Sequence, residues 1–254
     1  MTDENTIAME HQNQVAIIKL NGGVTNAING ELVLALDSVL QRLAADPDVH
    51  GLVLTSANNK FFSIGLDIPQ LITLDEKDFR SFYQAYNQLC LRLLTISKPL
   101  LAAITGHAIA GGCILGLVCD YRYIAEGRKL IGLNEIKLGV PVPYVADCML
   151  RQLVGYRNAR DMMNSGGFLE PDEALKLGLV DRIVPLEDLV SQSIAKVRAL
   201  SADSLEAFAL IKSSRIRAVE REITAQLSDR EDAFIMRWYS HDARERLQDA
   251  IAKY

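Results

Sequence analysis

Hydrophobic and polar positions change period several times along the chain. QVAIIKL at 14–20 and GLVLTS at 51–56 are short, β-rich runs that predict strands, and between them Leu32, Leu36, Leu40 and Leu43 recur at the spacing of one helix face. Strand, helix and strand in this order predict a βαβ unit. A second round follows. Helical periodicity spans about 76–96, Pro99 breaks it, and LLAAIT at 100–105 is too short and apolar for anything but a buried strand. Residues 111–118 predict a helix, DYRYIAE at 120–126 a strand, and about 143–177 a helix-rich stretch ending near Gly178. From about 186 onward Pro and Gly vanish, and a helical tail is predicted whose apolar face includes Phe208, Leu210, Phe234, Trp238 and Leu247. Such a stripe points to packing, within or between subunits. The pattern gives an α/β fold with one main core over 1–190 and a helical region over 191–254.

Composition narrows this picture. With 49% hydrophobic and 23% charged residues the 254-residue chain is an ordinary globular protein, and a net charge of −5 without a basic block argues against nucleic acid as a primary partner. Cys90, Cys113, Cys119 and Cys148 form no CxxC pair and sit in apolar stretches, as reduced thiols do. The start, MTDENTIAMEHQNQ, is polar and acidic, unlike a signal or transit peptide, and no apolar run reaches the roughly 18 residues of a membrane span. The expectation is a soluble cytoplasmic protein, with a mature organellar chain as the alternative. Neither an internal sequence repeat nor a low-complexity segment is present.

The segment most suggestive of chemistry is GHAIAGGCILG, residues 106–116. It is not a phosphate loop, because Gly112 and Cys113 stand where lysine and a hydroxyl residue are needed. Nor is it a dinucleotide fingerprint, whose glycine spacing and place in the chain both differ. A serine-hydrolase elbow is missing as well: in FFSIGLD, Phe61 occupies the place of its first glycine. What remains is glycine at the start of a helix, where first-turn amides lack intrahelical acceptors and the helix dipole favours an oxyanion. Close helix packing is the competing explanation for the same glycines.

A second glycine loop, NKFFSIGLDIPQL at 59–71, also follows a strand. Ligands in open α/β sheets gather at the carboxyl ends of strands, so the two loops can share one pocket and two of their amides can form an oxyanion hole. A base is offered by Glu135, which sits among Leu133, Ile136, Leu138 and Val140; burial there would raise its pKa to a value useful for proton abstraction. His107 has no Ser or Asp partner close in sequence and reads as a structural or hydrogen-bonding histidine. His11, His50, His107 and His241 are scattered without metal-ligand spacing.

Taken in order, FFSIGLDI, GHAIAGGCILGLVCDYRYIA and GLNEIKLGV, followed by EALKLGLVDRIVP and WYSHDARERLQDAIAKY, resemble the crotonase superfamily, the enoyl-CoA hydratase/isomerase group. The resemblance covers nearly the whole chain. It implies a ClpP-like fold of repeated ββα units, a helical region for trimerisation and pocket closure, and a homotrimer or dimer of trimers. It implies that Glu135 and the amides of Leu66 and Gly111 are catalytic, with Ser63, Ile64, Gly65, Asp67, Ile68, Ala110, Gly112, Ile114 and Asn134 along the substrate path. Asp67 and Asp120 read equally well as structural caps. The implied substrate is an acyl-CoA thioester, with no cofactor beyond the CoA it carries.

Two departures from the family pattern matter. Family hydratases pair two glutamates, and Ile114 occupies the place of the first, so AGGCIL with IGLNE is similar instead to the mitochondrial-type Δ3-Δ2-enoyl-CoA isomerase branch. The expected activity is migration of a 3-ene into conjugation. A thioester hydrolase, decarboxylase or atypical hydratase, or a non-catalytic acyl-CoA-binding trimer, are the alternatives. After the first strand, LNGGVTNAI also lacks the usual basic residue near the CoA phosphates; Lys60, Lys212 and Lys253 are substitutes, each otherwise a solvated surface lysine.

Overall fold

The computed structural model describes residues 6–252. β1 (Ile7–Gln12) and β2 (Val15–Leu20) form a hairpin, and α1 (Gly30–Ala45) crosses to β3 (Gly51–Ser56). There follow β4 (Phe61–Ser63), the single-turn α2 (Ile68–Leu71) and α3 (Glu76–Thr95). Next come β5 (Leu100–Ile104), β6 (His107–Ile109), α4 (Gly111–Leu117), β7 (Tyr121–Ala125) and β8 (Ile131–Gly132), then a 3-10 turn over Glu135–Leu138. The chain ends with α5 (Tyr144–Ser165), α6 (Pro171–Lys176), β9 (Arg182–Val184), α7 (Leu189–Ser201), α8 (Leu205–Trp238) and α9 (His241–Ile251).

The strands divide between a six-stranded sheet, in the order β1-β2-β3-β5-β7-β9, and a three-stranded sheet, β4-β6-β8. Every pairing is parallel except β1 with β2. Each ββα round puts its first strand in the large sheet and its second in the small one: β3–β4–α3, β5–β6–α4 and β7–β8–α5. β2 and α1 form a reduced first round in which Ile28 alone bridges to Leu66 beside β4. The repeat is structural, although the sequence has none. In each round the chain passes from the large sheet through the small one and into a helix, and these crossings build the site.

The expected βαβ unit is present as β2–α1–β3. Asn29 caps α1 by accepting from the Leu32 amide at 3.0 Å, and Leu32, Leu36, Leu40 and Leu43 are buried. β3 and β5 are buried at every residue, as parallel strands covered on both faces must be. The second cover is α7. Leu189, Ile194 and Val197 pack on Val15, Ile17, Val53 and Leu101, and a Cβ at Gly51 would come within 2.2 Å of Val197 Cγ1. The helical region and the sheet therefore share a core across residue 190.

β1 was not anticipated. It follows from a two-residue turn in which Asn13 (φ 52°) and Gln14 (φ 65°) both take the positive φ of a type I′ hairpin. Its residues after Ile7 are largely exposed, as befits an edge strand, and so its sequence reads as a polar terminus. Of the expected tail stripe, Phe234, Trp238 and Leu247 are buried, but Leu210 is 73% exposed. No described helix is long and apolar enough to cross a membrane.

Candidate active site

The two glycine loops meet. After β4, the Ile28 amide donates to the Gly65 carbonyl at 2.7 Å and the Asp67 amide donates to the Ile28 carbonyl at 2.9 Å. This parallel bridge holds the residues on either side of Leu66, so the Leu66 N–H faces away from Ile28 and has no acceptor among the described residues. Gly65 has φ 98°, and a Cβ there would stand 2.9 Å from the Ile109 carbonyl oxygen and 3.0 Å from the Gly111 nitrogen. A glycine is required on both counts.

The second loop turns at Ala110, a non-glycine residue at φ 46° and ψ −118°, whose amide donates to the Gly132 carbonyl at 2.8 Å. That turn starts α4 at Gly111, whose N–H belongs to the first helical turn and so has no intrahelical acceptor. Close packing and an open amide therefore coexist here. A Cβ on Gly112 would approach the Ser63 carbonyl oxygen to 2.2 Å, which makes Gly112 the packing glycine, while Gly111 lines a cavity and accepts from the Tyr86 hydroxyl at 3.2 Å.

That cavity is apolar apart from a few groups, with Ile64, Leu66, Ile68, Ile109, Ala110, Gly111, Ile114, Asn134, Glu135 and Leu138 on its walls, joined by Tyr86, Pro143, Phe234 and Trp238. Glu135 is the one carboxylic acid among them. The 3-10 turn that carries it ends at Gly139 in the left-handed conformation (φ 75°). Glu135 is only 5% exposed, its Oε2 has no hydrogen-bond partner among the described residues, and burial pushes its pKa from 4.5 up to about 7 against the pull of its own main-chain N–H. Beside it the Asn134 Oδ1 is also buried without a partner among the described residues. Ile114, 1% exposed, completes the wall with no proton to give or take.

Of the positions expected along a substrate path, Ile64, Ile68, Ala110, Ile114 and Asn134 line the cavity with Leu66, Gly111 and Glu135. Ser63, Gly65, Asp67 and Gly112 support the wall instead. Ser63 is fully buried, donating to the Asn26 carbonyl at 2.7 Å and accepting from the Gly65 amide at 3.2 Å. Asp67 caps α2 through the Gln70 amide at 3.2 Å. Asn26, a buried residue at φ 46° that donates to Ser56 and the Phe62 carbonyl, organises the same loop from the LNGGVTNAI turn; its place in a glycine-rich turn was the available signal. Tyr86, Phe234 and Trp238 also reach the cavity, from helices whose spacing pointed only to packing.

Other candidates resolve as structure. His107 Nδ1 accepts from the Leu130 amide at 2.9 Å, tying β6 to the segment before β8, and burial together with Lys129, Lys60 and Arg128 lowers its pKa. Lys212 is not a solvated lysine. It is 3% exposed and paired at 2.8 Å with Asp120, which also accepts from Arg215 and the Leu100 amide. Lys60 is exposed above the Phe61 ring, and Lys253 lies outside the described residues. The four cysteines are buried and free, and burial raises the pKa of each. Among the described residues no three His, Cys, Asp or Glu side chains are gathered to hold a metal.

Two lone amides and one buried acid with an elevated pKa can stabilise a developing oxyanion and move a proton. The family model for enoyl-CoA hydratase/isomerase matches residues 10–251. The chain is 30% identical over 241 residues to human mitochondrial enoyl-CoA delta isomerase 1, covering 94% of this chain and 78% of the relative. It is also 30% identical over 257 residues to the crotonyl-CoA hydratase of Syntrophomonas wolfei, covering 100% and 97%. The crystal structure of human mitochondrial delta3-delta2-enoyl-CoA isomerase superposes with a TM-score of 0.94 at 29% identity, covering 98% of this chain and 97% of that one. Fold, loops and acid together thus place the chain in the enoyl-CoA hydratase/isomerase family, to which it belongs.

Proposed function

We propose that the protein is a Δ3-Δ2-enoyl-CoA isomerase working with a single acid/base. The observation that carries this reading is the pairing of Glu135 with Ile114 in one cavity. Adding water across a double bond requires a group to activate the water as well as one to manage the proton, whereas moving a double bond requires one base that returns what it takes. Ile114 supplies no second group and keeps the cavity dry. Relatives include hydratases as well as isomerases, so the distinction rests on these side chains.

In this mechanism the Glu135 carboxylate removes a proton from C2 of a 3-enoyl thioester. The electron pair of the broken C–H bond delocalises through the carbonyl and the adjoining double bond, giving a dienolate whose oxygen accepts from the Leu66 and Gly111 amides. Each such donor contributes on the order of 3 kcal/mol to the transition state. The carboxylic acid then returns the proton to C4, leaving the 2-ene in conjugation and Glu135 ionised again. A pKa of about 7 suits a group that must be base and acid in one cycle. CoA enters and leaves as part of the substrate, and no cofactor takes part.

The test is conversion of a 3-enoyl-CoA to its 2-enoyl isomer, followed by absorbance of the conjugated thioester, with 3-hydroxyacyl-CoA measured in parallel. Isomerisation should dominate, and Glu135→Gln should lose about 10²–10⁴-fold in kcat. Dominant hydration, or a fully active Glu135→Gln, would overturn the proposal.

A further inference from the structure

Phe234 belongs to two cavities at once. On one side is the cavity containing Glu135, of about 40 Å³. On the other is an open groove of about 610 Å³ between α5 and α8, whose walls include Tyr83, Val140, Val142 and Met163. Phe234 is the residue common to both walls. It is held by a stack: Phe234 lies on Tyr83 with ring centres 4.2 Å apart, and Trp238 lies on Phe79 at 4.4 Å. All four rings are at most 2% exposed. A side chain packed on several aromatic neighbours does not swing aside without disturbing them, because interiors are close-packed.

We infer that Phe234 is a specificity-determining residue that ends the acyl site and restricts the enzyme to short 3-enoyl thioesters. This deepens the isomerase reading and rests on it for the nature of the substrate. A cavity of about 40 Å³ has room for roughly three groups the size of a water, since each needs about 10–15 Å³ on this measure. That accommodates the reacting carbons C2 to C4, which with the carbonyl carbon make a chain of about four carbons. Ile68, Leu138 and Trp238, also on the cavity wall, offer hydrocarbon contacts. A longer chain would have to pass through the plane of the Phe234 ring, beyond which the groove is wide enough to receive it.

Binding of saturated butanoyl-CoA and decanoyl-CoA, measured by calorimetry, tests the inference without depending on any reaction. The wild type should bind the four-carbon thioester at least about tenfold more tightly than the ten-carbon one. Phe234→Ala should bring the two within about threefold, and Phe234→Leu, which keeps more of the packing, should move the ratio the same way. Met163→Trp, filling the groove, should restore discrimination when combined with Phe234→Ala and leave the wild-type ratio unchanged when made alone. Equal wild-type affinity for both chain lengths would overturn the inference, as would an unchanged ratio in a folded Phe234→Leu protein. Discrimination without isomerisation would instead count against the catalytic reading and leave the boundary at Phe234 standing.

Discussion

Asp120 and Glu135 bracket the same strand pair, the one just before β7 and the other just after β8, and both are buried, yet they are treated in opposite ways. Asp120 takes three sets of donors: Lys212 Nζ at 2.8 Å, Arg215 at 2.5 Å and the Leu100 amide at 3.0 Å. Glu135 keeps an oxygen with no partner among the described residues. A buried charge is tolerable when it is paired and hydrogen-bonded; one left alone drifts toward its neutral form. The saturated acid ties the end of α4 to α8. The unsaturated one faces the cavity, and on the proposed isomerase reading its free oxygen is the one that takes up the substrate proton.

Removing the charge at Asp120 gives the sharpest break of this comparison. Asp120→Asn leaves Lys212, 3% exposed, without its counter-charge, and a broken buried pair costs about 3–5 kcal/mol. Arg215 is half exposed and adds little to that loss. Urea denaturation should show the drop, and Asp120→Asn combined with Lys212→Met should recover part of it. The folded fraction of the single variant should keep its kcat, since Asp120 lines no part of the cavity. A small loss of stability would mean the cluster is solvated in solution.

Glu135→Gln should do the reverse and stabilise the fold, in a way that depends on pH. The carboxyl titrates near 4.5 when unfolded and at about 7 when folded. Below pH 4.5 both states carry the proton and the group has no net effect. Between 4.5 and 7 the folded state holds a proton that the unfolded state has lost, so wild-type stability falls as pH rises and levels off above 7. At about 1.4 kcal/mol per pKa unit the full cost is up to about 3 kcal/mol, and the variant escapes it. Its advantage, near zero at pH 4.5, should reach about 1–3 kcal/mol at pH 8 in paired urea titrations. A difference independent of pH would mean that Glu135 is not held near neutrality. The same titration predicts that wild-type kcat/KM falls about tenfold per pH unit below 7, as the base form is lost.

The sequence reveals the saturated parts of this protein and the unsatisfied ones unequally. β3, β5 and the leucine face of α1 are legible because burial on both faces or along one stripe leaves a period in the residues. β1 is not, because an edge strand is polar, and β8 is only two residues long. Glu135 stands out against its apolar neighbours, and its role follows from the family resemblance. Phe234 and Trp238 are recognisable as apolar but not as cavity walls, since about a hundred residues of chain separate them from Glu135 and only the fold brings them back. Lys212 reads as a surface lysine for the same reason: its partner Asp120 lies on a distant element, so its burial has no local signature.

Ala110 carries the comparison into the backbone, with the smallest effect. At φ 46° and ψ −118° it occupies a conformation suited to glycine, at a cost of order 1 kcal/mol. Its methyl packs over Gly65, where a built Cβ would stand 3.1 Å from it, and it faces the cavity. The strain is thus kept for a contact that fixes the turn presenting the Gly111 amide. Ala110→Gly would relieve it, but a glycine also loses more entropy on folding, so the net gain should not exceed about 0.5–1 kcal/mol. With the methyl gone the amide is free to shift, and because in the proposed isomerisation the dienolate oxygen carries charge only during the reaction, kcat should fall a few-fold while KM stays nearly constant. Thermal unfolding and steady-state kinetics on the same preparation would measure both. A stabilised enzyme with undiminished kcat would mean that the strain does not serve the oxyanion site, and that Ala110, like Asp120, belongs to the architecture.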